Sequence, residues 1–213
     1  RDRLANDPAG IRRAAELLAG GGLVAFPTET VYGLGADARN DHAVARIFEA
    51  KNRPLFDPLI VHIADLSQMA LLSPMMDRRA GRLAGRFWPG PLTMVLPKSE
   101  KVPDIVTAGL ETVAIRMPDH LIALDLIRQS GTAIAAPSAN RFGYISPTRA
   151  LHVRDQIGDR VDMIIDGGDC TVGVESTILK LDDGEAVILR PGGTPVEEIE
   201  AVIGPVTIAP DAE

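Results

Sequence analysis

At 213 residues the chain is long enough for one large α/β domain and cramped for two. Its 46% hydrophobic and 24% charged residues are ordinary for a soluble globular protein, no apolar run approaches the roughly 18 residues of a membrane span, and a lone Cys170 excludes an intrachain disulfide and a cysteine metal cluster. A net charge of −7, aromatic content of 4% and no Lys/Arg run longer than two residues argue against a dedicated nucleic-acid reader.

In chain order, Asp7-Pro8 ahead of Ile11, Ala14, Ala15 and Leu18 predicts a capped helix with an apolar face, stopped by Gly20-Gly21-Gly22. Leu23 to Phe26 predicts a buried strand that Pro27 closes, opening into the loop Thr28-Glu29-Thr30. Asp41 is the expected cap of a helix to about Ala50, with Val44, Ile47 and Phe48 on one face; Lys51 and Arg53 then follow it, and Pro54 and Pro58 forbid further helix. Strands are expected at Leu59 to Ile63, Leu92 to Leu96, Thr112 to Met117, Ala133 to Ala136 and Val161 to Ile165, with helices at 77 to 87 and from Asp119 to about Arg128. Gly173 to Leu181 and Glu185 to Arg190 flank Asp182-Asp183-Gly184 as a hairpin, and a helix runs from Pro195 to Ile203. Lys98 to Glu111 is the least patterned stretch. Alternating helix and strand with one hairpin predict a mixed sheet.

Gly33-Leu34-Gly35-Ala36-Asp37-Ala38 fits the loose dinucleotide pattern G-x-G-x-x-A, but no helix follows it directly, so the Rossmann reading is rejected. Walker, G-x-S-x-G, H-E-x-x-H and paired-cysteine motifs are absent. Lys51 and Arg53 taken alone suit a solvated helix end, yet the bracketing prolines stiffen their loop, and a stiff loop lowers the entropic cost of holding a phosphate. Arg116 interrupts an apolar strand. A buried guanidinium needs an anion, either a ligand or one of the 29 acids of the chain. Arg190, between Val187-Ile188-Leu189 and Pro191-Gly192-Gly193, repeats that pattern, and the four cations are expected to converge. His62 inside Leu59-Ile60-Val61-His62-Ile63 is by default a core histidine bonded to backbone, and Ser176-Thr177 by default satisfies a turn.

Phe26-Pro27-Thr28-Glu29-Thr30-Val31-Tyr32-Gly33-Leu34-Gly35, Lys51-Asn52-Arg53-Pro54, Asp57-Pro58-Leu59-Ile60-Val61-His62-Ile63, Trp88-Pro89-Gly90-Pro91-Leu92-Thr93, Ala135-Ala136-Pro137-Ser138-Ala139-Asn140 and Gly173-Val174-Glu175-Ser176-Thr177, in that order, strongly resemble the YrdC-like threonylcarbamoyl-AMP synthases. The likeness spans about residues 10 to 205, the expected catalytic domain, with any further C-terminal domain lying outside this chain. It implies an open, twisted, mixed sheet flanked by helices around a concave basic cleft. It also implies an enzyme that joins L-threonine, bicarbonate and ATP into threonylcarbamoyladenylate plus pyrophosphate, needs Mg²⁺, works in the cytoplasm away from membranes, and serves tRNA modification downstream. Carried over onto this sequence, the ATP contacts fall on Lys51, Arg53, Asp57, Thr112, Ser138, Asn140, Ser146 and Arg190. Lys51, Arg53, Ser138 and Asn140 are the catalytic set. The threonine contacts fall on Thr30, His62, Arg116, the backbone at Ala136, and Ser176. Asp57 departs from the asparagine expected there, and a carboxylate beside phosphates repels them unless a metal intervenes. The metal ligands and the oligomeric state are left open. The alternatives are an RNA-binding module without chemistry, and the related carbamoyl-transfer domain of hydrogenase maturation enzymes, whose accompanying zinc-finger and acylphosphatase segments do not occur in these residues.

Overall fold

The computed structural model describes residues 2–4, 7–75 and 77–212. Eleven strands among them form one open mixed sheet: β1 (Asp2–Leu4), β2 (Val24–Pro27), β3 (Tyr32–Asp37), β4 (Ile60–His62), β5 (Leu92–Pro97), β6 (Thr112–Arg116), β7 (Ile134–Ala135), β8 (Met163–Asp166), β9 (Thr177–Leu181), β10 (Ala186–Arg190) and β11 (Thr207–Ile208). Their order is β1-β8-β2-β3-β7-β4-β6-β5-β9-β10-β11, and the two outer strands leave the sheet unclosed. β4 runs parallel to β6 with His62 opposite Arg116, while β7 is antiparallel to both β3 and β4. The hairpin expected around Asp182-Asp183-Gly184 is β9 and β10, antiparallel, with an irregularity between Ile188 and Arg190.

The helices are α1 (Pro8–Ala19), α2 (Asp41–Lys51), α3 (Leu66–Leu72), α4 (Arg78–Phe87), α5 (Asp104–Thr107), α6 (Leu121–Ser130), α7 (Ala150–Ile157) and α8 (Val196–Ile203). α1 begins as expected: Asp7 accepts a hydrogen bond from the Ala9 amide and Pro8 takes the first helical position. Its Ile11, Ala14, Ala15 and Leu18 are buried, and α1 packs on α6 and on the β2–β3–β8 part of the sheet.

One expectation needs correction, and further elements lie where no pattern was read. The cap of α2 is Asn40, whose side chain accepts from the Ala43 amide, so Asp41 is already helical. Gly33 to Asp37 is a fully buried strand; a methyl group on Gly35 would lie 2.8 Å from both Ile134 Cγ2 and Phe26 Cε1, so that glycine serves close packing. α5 forms within the unpatterned stretch, its end turned by Ala108 at φ 53°. α3 and α7 were not anticipated at all, although Asp65 and Gln68 form a complete capping box on α3.

Candidate functional site

Side chains alternate across a strand, so one face of the central sheet presents every second residue. Thr112, Ala114 and Arg116 of β6, Ile60 and His62 of β4, and Ile178 and Lys180 of β9 line a single cleft of about 570 Å³, a size typical of small-molecule sites. The intervening Val61, Val113 and Ile115 are buried in the core. Loops from strand and helix ends supply the remaining walls: Thr28 to Val31 after β2, Lys51 to Leu59 after α2, Ala136 to Ser146 after β7, Glu175-Ser176 before β9, and Leu189-Arg190 at the end of β10. Every residue singled out from the sequence lines this one cleft: Thr30, Lys51, Arg53, Asp57, His62, Thr112, Arg116, Ala136, Ser138, Asn140, Ser146, Ser176 and Arg190.

The turn at Lys51-Asn52-Arg53 explains its own sequence. Asn52 takes the left-handed conformation, φ 53°, that ends α2, and the Arg53 amide donates back to the Phe48 carbonyl. The reversal separates the two cations. Lys51 is 1% exposed, and its Nζ donates to the Ser138 carbonyl and, at 2.5 Å, to the Asn140 carbonyl. Burial, with Arg53 adding repulsion, pushes its pKa down to about 7, while the two carbonyls favour the ammonium form. Lys51 therefore ties α2 to the Ser138–Asn140 loop. Arg53 instead reaches Asp57, with Nη2 to Oδ2 at 3.0 Å, and donates to the Asp57 and Pro58 carbonyls. Asp57 is thus neutralised by an arginine, a partner that sequence reasoning did not consider.

Arg116 has the acidic partner its burial demands. Nη1 donates to Glu29 Oε1 at 2.7 Å and Nη2 to Thr30 Oγ1 at 3.2 Å, while Glu29 Oε2 accepts from the Asp119 amide. Thr30 is in turn set by Thr28, whose Oγ1 donates to the Val31 carbonyl at 2.6 Å and lies 2.9 Å from Thr30 Oγ1. His62 is 5% exposed, the Ile60 and Ile134 backbone bears on its ring as expected of a core histidine, and its Nδ1 has no partner within hydrogen-bonding distance. Burial first, and the Arg116 charge second, push its pKa down to about 3, so the ring is neutral.

Nearer the solvent, Arg190 is held by Nε and Nη2 on the Ser176 carbonyl, 3.0 and 2.9 Å, and by Nη1 on Glu175 Oε2, 2.9 Å. Glu175 Oε1 accepts from Ser146 Oγ at 2.9 Å, and Ser176 Oγ lies 2.7 Å from Thr93 Oγ1. Gly192 permits this: a methyl group there would come within 2.4 Å of the Glu175 carbonyl. Asn140 donates both amide hydrogens to its own loop, at Arg141 and Tyr144, and leaves a buried Oδ1 without a partner.

Sequence reasoning missed the two carboxylates. Each sits in a motif already singled out, and a buried arginine nearby is the signal that calls for one. Chemically, the cleft combines five Lys and Arg side chains, several hydroxyls and two buried polar atoms without partners, a set suited to a polyanion carrying further hydrogen-bonding groups. Among the described residues no group of three His, Cys, Asp or Glu side chains could hold a metal ion, and Asp57 and Glu175 are each engaged by an arginine. A dedicated metal cage does not fit here. No helix among the described residues is long and apolar enough to cross a membrane.

A family model named for Sua5, YciO and YrdC, described as "Telomere recombination", matches residues 16–192. Threonylcarbamoyl-AMP synthases of Pyrococcus abyssi and Bacillus subtilis are each 57% identical, over 94% and 95% of this chain. The chain spans 59% of the length of either relative. The crystal structure of P. abyssi Sua5 complexed with L-threonine superposes with a TM-score of 0.92 at 57% identity, covering 94% of this chain and 59% of that one. With four-fifths of its length inside the family model and two relatives 57% identical over more than nine-tenths of it, this chain belongs to the Sua5–YciO–YrdC family.

Proposed function

We propose that residues 10–205 are the catalytic unit of a nucleotidyltransferase that condenses L-threonine, bicarbonate and ATP into L-threonylcarbamoyladenylate with release of pyrophosphate. The product is the activated donor for threonylcarbamoyladenosine modification of tRNA next to the anticodon, and the work is cytoplasmic. The observation that carries this reading is the convergence of Lys51, Arg53, Arg116 and Arg190, from three separated stretches of the chain, on one cleft of small-molecule size. The threonine complex of a 57% identical relative supports it.

The chemistry assigns roles by charge. Threonine's amine captures carbon dioxide or bicarbonate as a carbamate, and a carbamate oxygen then attacks the α-phosphorus of ATP in line with departing pyrophosphate. Arg53 and Arg190 lie at the phosphate end, where fixed guanidinium groups stabilise the charge that develops on the phosphoryl and leaving oxygens. Asp57, Thr112, Ser138, Asn140 and Ser146 complete the nucleotide wall. Lys51, bound to the Ser138 and Asn140 carbonyls, fixes the loop carrying both catalytic neighbours. At the other end Arg116 faces the threonine carboxylate, with Thr30, His62, Ser176 and the Ala136 backbone around the amino acid. Neutral His62 offers an acceptor there without adding charge. Mg²⁺ enters bound to the ATP phosphates and is part of the nucleotide substrate.

The test mixes the protein with Mg²⁺, ATP, bicarbonate and L-threonine and follows pyrophosphate together with the adenylate by mass. Threonine-dependent formation of both is expected without any RNA. Folded protein that releases pyrophosphate without threonine, or makes no adenylate, would refute the reading.

A further inference from the structure

Outside the cleft, α4 carries a face that nothing in the fold uses. Arg78, Arg82 and Arg86 follow one another at i, i+4 and i+8, all exposed, about 6 Å apart along the helix axis. Between them Gly81 and Gly85 are exposed too, and a methyl group on either would meet nothing within 4 Å. The opposite face holds Ala80, Leu83 and Ala84 in the core.

Three features of this face run against helix stability. Like charges four residues apart repel, and each glycine weakens the helix relative to alanine. None of the three arginines forms an ion pair among the described residues. Arg79 shows the contrast, since it is bound to Asp77 and to the Asp182 and Glu185 carbonyls, while Arg86 only stacks on Phe87 with Cζ 5.1 Å from the ring centre. A locally unfavourable pattern with no internal compensation is the mark of a surface shaped for a partner.

We propose that this α4 face docks the phosphate backbone of RNA. The partner must be a regular polyanion. The row is entirely arginine and free of lysine, winding gently round the helix, and a guanidinium forks onto phosphate oxygens where an ammonium acts as a point charge. The bare glycines let a strand approach the helix between the side chains. α8 packs alongside and turns Glu197 and Glu198 to solvent, so the favourable path for an anion runs along α4 and away from α8. The choice of RNA over DNA rests on the proposed function, whose product is destined for tRNA. The remainder rests on α4 alone.

Fluorescence anisotropy of an unmodified tRNA transcript, titrated at several salt concentrations, tests this. Each phosphate contact adds about 0.7 to 0.9 to the slope of log K against log salt, so replacing Arg78, Arg82 and Arg86 by Gln lowers the slope by about 2 to 3. RNA-free pyrophosphate release should stay at the parent rate. Should the triple variant misfold, Arg82→Gln alone lowers the slope by about 1. An unchanged slope, or displacement of the RNA by poly-glutamate as readily as by competitor RNA, overturns the proposal. Absence of pyrophosphate release in every protein, with the slope still lowered, removes the enzymatic reading and leaves this surface standing.

Discussion

The two ends of the cleft hold the same chemical pair in different surroundings. At the inner end Arg116 and Glu29 meet at 2.7 Å with side chains 3% and 6% exposed; at the outer end Arg190 and Glu175 meet at 2.9 Å with 35% and 37% exposed. Water decides what each pair is for. Breaking a buried pair strands a charge and costs about 3 to 5 kcal/mol, whereas an exposed pair contributes about 0 to 1 kcal/mol. The inner pair is therefore part of the fold, fixed further by Thr30 and the Asp119 amide. Under the proposed function, the outer pair is the one an incoming anion exchanges.

The strongest way to break that contrast is Arg116→Ala. Glu29 would stay buried without its cation, and urea unfolding should show a loss of about 3 to 5 kcal/mol. A loss below about 1 kcal/mol would make the inner pair no different from the outer one. Arg190→Ala sharpens the comparison from the other side. Its stability should shift by no more than about 1 kcal/mol, while turnover in the adenylate assay falls about 10²- to 10³-fold, as for removal of one charge-stabilising donor. A smaller effect concerns His62 beside the inner pair. Its pKa of about 3 lies below the unfolded value of 6.5, so the unfolded chain binds the extra proton between those values. Stability is then full above the unfolded value and declines as pH falls towards the folded one. Between about pH 7 and pH 5 the expected loss is about 2 kcal/mol, and His62→Gln should flatten it. A parent protein equally stable at both would show that the inner end is wet.

The inner end was only half legible in the sequence. Arg116 announced itself by interrupting an apolar strand, and the need for an anion followed; which of 29 acids would answer did not, because Glu29 lies on the loop between β2 and β3, 87 residues away in the chain. The outer end had the same gap at Glu175. Strands with simple apolar runs, such as β5 and β6, were readable from pattern alone. β3 was not, since Gly33 and Gly35 are loop residues by propensity, and only the ring of Phe26 and the side chain of Ile134 packed over Gly35 make glycine the right choice in a buried strand. The basic face of α4 escaped a search for charge runs for a related reason: its arginines are neighbours in space every fourth residue and never adjacent in the chain.

The bridge from Glu175 to both Ser146 and Arg190 has a kinetic side. Under the proposed function, an anion arriving at Arg190 displaces a tethered rival, so its affinity is a difference between two attractions. The tether keeps that rival nearby at high effective concentration, ready to retake the guanidinium once a spent fragment loosens. A mouth built this way sacrifices grip in order to let go quickly.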